Sequence, residues 1–283
     1  MQKVSLYIPC YNAQSYIDKC LSGVMKQTYP PDEILVIDDG SADKTVEIAS
    51  RYPVKIISHA GNEGLASARN TAFRNARNEY VASLDADCVP EPGWLQRLMQ
   101  DFTGDNVAGA GGKLLESNLS GVVNKWRSVY MRQHWGNERI INPRFLFGSN
   151  NVFRKNALIK AGMYDPALRT NYEDCDMSLR LRGLGYTLIY DPEAVAYHLR
   201  TDNLKSLINT FARWTLTGTG GRRRPDNFYN LCCKVYDNLI YSGKMVIKDV
   251  MAGRIGFLPI DILVFFNNVR FDIRYYLSKS LFK

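Results

Sequence analysis

The spacing of apolar positions changes along this chain. In the amino-terminal part, short apolar runs alternate with longer amphipathic stretches. "VSLYIP", "DEILVIDDGS", "VKIISH" and "YVASLDAD" are compact and rich in β-branched or aromatic residues, so they predict strands. Between them, "AQSYIDKCLSGVMKQ" places Tyr16, Ile17, Cys20, Leu21 and Val24 at helical spacing, and "DKTVEIASRY" and "LASARNTAFRNA" predict two more helices. Such alternation implies right-handed crossovers and an α/β fold with a mixed, mainly parallel sheet flanked by helices. Further on, Met177, Leu181 and Leu184 predict a helix from about Asp176 to Leu184, stopped by Gly185. Glu173, Asp174 and Asp176 crowd its amino end, where the helix dipole favours negative charge. "TLIYD" and "AVAYH" predict strands. From Leu204 the alternation is lost and the chain reads as helical, which divides it into residues 1–203 and a basic helical region, 204–283.

In parallel α/β sheets, ligands bind beyond the carboxyl ends of the strands. Pro9 and Tyr11, Asp38 and Asp39, and Asp85 and Asp87 all fall at such ends. Asp85 and Asp87 are two residues apart and share a face if the strand persists. Paired carboxylates repel unless a cation or a hydrogen-bonding ligand lies between them. Hard divalent ions are commonly held by one or two carboxylates plus substrate phosphates. The alternative is a pair of solvated turn residues. No G-x-G-x-x-G follows the first strand, so a dinucleotide fingerprint is absent. "GAGGK", residues 109–113, lacks P-loop spacing and reads as turn or close-approach glycines.

Charge placement sharpens the division. Residues 1–199 hold 22 Lys and Arg against 22 Asp and Glu, whereas residues 200–283 hold 14 against 6. The carboxyl-terminal third therefore carries the whole net charge of +8, which points to an anionic partner. The six cysteines show no C-x-x-C spacing and the amino end resembles no signal peptide. Reduced thiols in a cytoplasmic protein are expected, and a zinc site is not.

Four blocks, "IPCYNAQSYIDKCLSGVMKQTYPPDEILVIDDGSADKT", "GNEGLASARNTAF", "SLDADCVPEPGWL" and "YEDCDMSLRLRGLGY", resemble in content and order the inverting family-two glycosyltransferases of the GT-A fold. The resemblance covers residues 3 to about 200. It implies that Asp39 hydrogen-bonds a nucleobase edge bordered by Pro9 and Tyr11. It also implies that Asp87 holds a Mn2+ or Mg2+ ion, that Asp85 contacts the ribose or the metal, and that His198 completes the metal shell. Arg69 is expected either to reach ribose or diphosphate or to form a salt bridge on a helix surface. Asp174, in the family's acid pair with Glu173, is the expected general base, with helix capping as its alternative, and Glu173 is expected to contact acceptor or diphosphate. His134 is placed on the acceptor side or against Trp135, and Cys175 reads as packed.

"TFARWTLTGTGGRRR" is similar to the Gln-x-x-Arg-Trp block of processive polysaccharide synthases, except that Thr210 replaces the glutamine. Arg213, Trp214 and Arg222–Arg224 are candidates for contact with acceptor sugar or phosphate, with an amphipathic helix followed by a flexible Gly-rich loop as the alternative. "IGFLPIDILVFFNNV" is interrupted by Pro259 and Asp261 and is too short to span a bilayer, which takes about 20 apolar residues. In "RFDIRYYLSKSLFK", Phe271, Tyr275 and Phe282 share one face flanked by Arg270, Arg274, Lys279 and Lys283, a pattern suited to an anionic membrane surface. No nucleic-acid-binding motif accompanies the charge. The expected activity is sugar transfer from a nucleotide-diphosphate sugar, UDP-linked, to a glycan or lipid-linked acceptor at the inner face of the cell membrane. A sugar nucleotidyltransferase and a catalytically silent binding module are the alternatives.

Overall fold

The computed structural model describes residues 2–169, 171–217 and 225–280, with side chains omitted at 215–217 and 279–280. The Arg222–Arg224 run, Phe282, Lys283 and the Lys279 side chain therefore lie outside the described residues. The chain forms two compact units. One comprises Met1–Ser117 and Arg132–Arg200, the other Asn118–Met131 and Thr201–Lys283.

The first unit is built on a nine-stranded sheet. Strands β1 (Val4–Cys10), β2 (Glu33–Asp38), β3 (Lys55–Ser58) and β4 (Tyr80–Leu84) lie parallel in the order β3-β2-β1-β4, joined by helices α1 (Ile17–Val24), α2 (Thr45–Ala49) and α3 (Leu65–Asn75). β1 and β4 are buried along their whole length, as their near-continuous apolar sequence requires. Beyond β4 the sheet becomes mixed. β8 (Asn150–Arg154) runs antiparallel to β4, and β6 (Val107–Glu116) runs antiparallel to β8 and parallel to β9 (Thr187–His198). The short β5 (Cys88–Pro90) and β7 (Ile140–Ile141) both pair with β9 in antiparallel sense, and helices α4 (Trp94–Gln100) and α6 (Lys155–Lys160) follow β5 and β8. "GAGGK" is thus strand, not turn. Its close-approach reading holds: a Cβ on Gly112 would come within 2.1 Å of the Ala194 carbonyl oxygen.

The sheet registers assemble one edge. Leu84 pairs with Asn150, so the loop entering β8 arrives beside Asp85, whose N–H donates to the Ser149 carbonyl at 3.2 Å. His198 pairs with Cys88 on one side and with Glu116 on the other. α7 (Glu173–Gly183) begins one residue before the Asp174 that the sequence singles out. Its amino-terminal neighbours Asn171 and Tyr172 have positive φ angles of 71° and 74°, an uncommon conformation away from glycine.

The second unit contains α5 (Gly121–Tyr130), α8 (Leu204–Thr217), α9 (Phe228–Met251) and α10 (Leu258–Ser280). Its core gathers Trp126, Leu207, Phe211, Met245, Ile260 and Val264. Several of its buried charged residues have partners. The Trp126 indole donates to Asp261 at 2.8 Å, and Arg127 meets Asp202 at 2.6 Å. Burial of each large apolar side chain here is worth about 1.5–3 kcal/mol.

Candidate active site

The carboxyl edge of β4 carries the site. Its centre is Arg69, on α3, which is only 1% exposed. Its Nη1 donates to the Tyr7 hydroxyl at 3.1 Å, the Ser83 hydroxyl at 2.7 Å and the Gly148 carbonyl at 2.7 Å. Its Nη2 reaches Asp85 at 3.4 Å, and its Nε lies 3.6 Å from a Glu173 oxygen. Arg69 is therefore no surface residue. It is a buried tie that holds two acidic groups from different segments at one edge. Gly148 permits this approach, since a Cβ there would fall 2.5 Å from Arg69 Nη2.

Two carboxylates flank this tie. Burial raises the Glu173 carboxyl, Asp174 adds to the rise and Arg69 opposes it, leaving Glu173 at about 7. Asp174 is half-buried and is likewise pushed upward by burial, against the bond it accepts from the Gly148 N–H at 3.0 Å. Its other oxygen accepts from the Cys175 N–H at 2.7 Å. The residue at the N-cap of α7 is Tyr172, so Asp174 sits inside the first turn while still serving one of its N–H groups. Cys175 is buried, as a packed residue should be.

A second chain of groups lies on the strands beyond. His198, 4% exposed, is held between two carboxylates: Nδ1 is 2.9 Å from Glu116 and Nε2 is 3.1 Å from Asp87. Burial opposes charge on this imidazole, but Asp87 and Glu116 outweigh it and push the group up to about 9. Asp85 is raised by burial and by nearby Asp87, with Arg69 and His198 opposing. Among the described residues, no three His, Cys, Asp or Glu side chains enclose a metal by themselves. The donor set nonetheless fits a hard divalent ion that shares its shell with substrate oxygens. Asp87 offers a carboxylate, and the Glu116 contact to Nδ1 suits His198 to ligation through Nε2.

The expected nucleobase residues occupy the ends of β1 and β2. Pro9 is buried, and Tyr11 is half exposed just beyond β1. Asp39 is buried, and its oxygens accept from the Glu63 and Gly64 N–H groups at 2.9 and 2.8 Å. His59 adds a 2.7 Å contact to Asp39 and a 2.9 Å contact to the Thr71 hydroxyl. Any base contact by Asp39 must use acceptor sites that remain beside these bonds. Arg213 and Trp214 belong to α8 of the second unit, where Trp214 packs on the hydrophobic core and Arg213 is exposed.

Several groups at this edge escape the sequence reading. Glu116 ends an apolar, glycine-rich strand and has no motif around it. Trp135, Phe145 and Phe147 form an aromatic cluster, with ring centroids 4.9–5.5 Å apart, directly before Gly148. The signal for the cluster was "FLFG", an aromatic pair leading into a glycine. His134 stands beside this segment, accepting from the Gly136 N–H at 3.1 Å.

The family model described as glycosyl transferase family 2 matches residues 5–164. The poly-β-1,6-N-acetyl-D-glucosamine synthase of Staphylococcus epidermidis is 29% identical over 230 residues, covering 77% of this chain and 55% of the relative. The enzyme of that name from Staphylococcus aureus is 28% identical over 232 residues, with 77% and 55% covered. The chain thus spans about half the length of these relatives. Among solved structures, S. aureus TarS 1–349 in complex with UDP-GlcNAc has a TM-score of 0.58 at 18% identity, covering 76% of this chain and 66% of that one. Mannosyltransferase PcManGT from Pyrobaculum calidifontis, in complex with GDP-Man and Mn2+, has a TM-score of 0.62 at 17% identity, covering 99% and 88%. These structural likenesses show the fold, the GT-A arrangement that the sequence led one to expect. The family model spans more than half of the chain, which belongs to glycosyl transferase family 2.

Proposed function

We propose that the chain is an inverting, metal-dependent glycosyltransferase. It moves a sugar from a nucleotide-diphosphate donor, a UDP-sugar, to a hydroxyl of a glycan or lipid-linked acceptor at the cytoplasmic face of the membrane. The observation that carries this reading is the Arg69 tie. It sets Asp85, on the donor side, and the Glu173–Asp174 pair, at the head of α7, along one strand edge.

The roles follow from chemistry. Asp174 accepts the proton of the acceptor hydroxyl as its oxygen bonds to the anomeric carbon. The bond from that carbon to the diphosphate oxygen breaks, and the nucleoside diphosphate leaves from the opposite face. This is one displacement, so configuration inverts. An upward-shifted carboxylate is a stronger base than an ordinary one, which suits Asp174 to the task. Its bonds to the Gly148 and Cys175 N–H groups fix its orientation. Buried Glu173 orients Arg69. Asp87 and His198, with Asp85 adjacent, would hold Mn2+ or Mg2+, and Glu116 would fix the His198 ring. When bound, the ion supplies Lewis-acid neutralisation of the leaving diphosphate. Tyr11 and Pro9 border the base, and Asp39 receives a base N–H. The Trp135–Phe145–Phe147 cluster offers aromatic faces to the acceptor sugar. The acceptor-side roles of Arg213 and Trp214 rest on the sequence alone.

The first donors to test are UDP-GlcNAc and GDP-mannose, the sugars bound in the TarS and PcManGT complexes. The protein is incubated with each donor and Mn2+, and the released nucleotide is identified. Release of UDP or GDP with sugar transfer supports the proposal. Release of pyrophosphate from a sugar phosphate and nucleoside triphosphate would instead indicate a nucleotidyltransferase, and binding without turnover a silent module.

A further inference from the structure

The outer surface of the second unit carries an organised apolar face. On α9, Tyr229, Tyr236, Ile240, Ile247 and Met251 are all exposed and follow one another at intervals of seven, four, seven and four residues. That spacing keeps them on one side for the full length of the helix. The buried residues of α9, among them Leu231, Met245 and Asp249, lie on its other side. α10 repeats the pattern: Ile262, Phe266, Ile273 and Leu277 are exposed at intervals of four, seven and four. This is not the face that the sequence suggested, since Phe271 and Tyr275 lie on the opposite side and are half-buried.

Folding also sharpens the charge of this unit. Of the six acidic residues after residue 199, four are buried: Asp202, Asp249, Asp261 and Asp272. Asp202 meets Arg127, Asp249 meets Arg254, Asp261 accepts from Trp126 and Asp272 accepts from Asn238. Only Asp226 and Asp237 stay exposed, whereas Lys205, Lys244, Lys248, Arg270 and Arg274 all reach solvent. Lys244 and Lys248 flank the α9 stripe, and Arg270 and Arg274 flank that of α10. No helix among the described residues is long and apolar enough to cross a membrane.

We propose that α9 and α10 dock the second unit on an anionic lipid surface, with their exposed stripes in the acyl boundary and the flanking lysines and arginines at the headgroups. The inference rests on the peripheral placement proposed above and names the face that achieves it. A second copy of the chain is the poorer occupant. Pairing two such faces would set Lys244, Lys248, Arg270 and Arg274 of each copy against those of the other, with only Asp226 and Asp237 exposed to offset them.

The test is co-flotation of the full chain with phosphatidylcholine vesicles, with and without phosphatidylglycerol. Wild type should bind the anionic vesicles, and salt should weaken binding by screening. The double variant Ile247→Asp/Phe266→Asp should lower vesicle affinity at least about tenfold. Both positions are at least 60% exposed, so melting and UDP binding in solution should not change. A second variant, Arg270→Glu/Arg274→Glu, should lose the preference for phosphatidylglycerol. If wild type and the stripe variant float equally, the face is wrong while peripheral placement stands. If wild type ignores vesicles and light scattering shows a dimer that the stripe variant splits, the face joins two copies and the proposal falls. If wild type ignores vesicles as a monomer, peripheral placement itself falls, whatever the outcome of the donor assay.

Discussion

Arg69 and Asp85 meet at 3.4 Å at the end of β4, the arginine buried and the aspartate partly open. The guanidinium thus ties the interior of the first unit to the group proposed to face the donor. Because Arg69 also bonds Tyr7, Ser83 and Gly148, it cannot leave without stranding several partners.

Arg69→Ala should therefore destabilise the first unit by about 3–5 kcal/mol, the usual cost of removing one member of a buried ion pair. Chemical denaturation measures it. A loss below about 1 kcal/mol, the size of an exposed pair, would show that the network adds little.

Metal dependence tests the strand-borne chain of groups. Asp87→Ala should abolish the part of UDP binding that requires Mn2+ and leave the fold intact, because Asp87 stands at a strand end. Glu116→Gln should weaken Mn2+ affinity about 10–100-fold by loosening the His198 ring. Titration calorimetry of UDP with and without Mn2+ reports both. Unchanged metal dependence in Asp87→Ala would remove Asp87 from the site.

The second unit contains its own titrating group. Burial raises Asp261, the adjacent Asp249 carboxylate adds to the rise, and the Trp126 bond opposes it, leaving the group at about 6. An acid whose folded value exceeds its unfolded value of about 3.9 binds its proton more tightly when folded. Its contribution to stability is full below about pH 4 and is lost as pH rises through about 6. Asp261→Asn keeps an acceptor for Trp126 without the charge. The melting temperature of the variant relative to wild type should rise between pH 4 and pH 7. A difference that does not vary with pH would contradict the assignment.

Much of the first unit was legible because its strands are buried on both faces and its helices are amphipathic. Strand ends then placed Asp85, Asp87 and Asp39 near one sheet edge, while the choice between ligand and solvated turn residues stayed open in the spacing alone. Glu116 was not legible, because only the pairing of β6 with β9 brings it to His198, 82 residues away. The surroundings of Arg69 were hidden for a similar reason: its partners come from β1, β4, the loop before β8 and α7. The outward face of α10 differs from the one its apolar spacing suggests because Asp261 and Asp272 are buried through Trp126 and Asn238. Those polar partners turn two charged positions inward and leave Phe266 and Ile273 outward.

Asp174→Asn tests the proposed base most directly. Asparagine keeps the shape of the side chain and an acceptor for the Gly148 N–H, but it cannot take a proton. Single-turnover sugar transfer should fall by ~10²–10⁴-fold, the usual contribution of a positioned general base. Metal-supported UDP binding should hardly change, because Asp85, Asp87 and His198 remain. Transfer within a few-fold of wild type would contradict the assignment of Asp174 as base, and with it the inference of inversion.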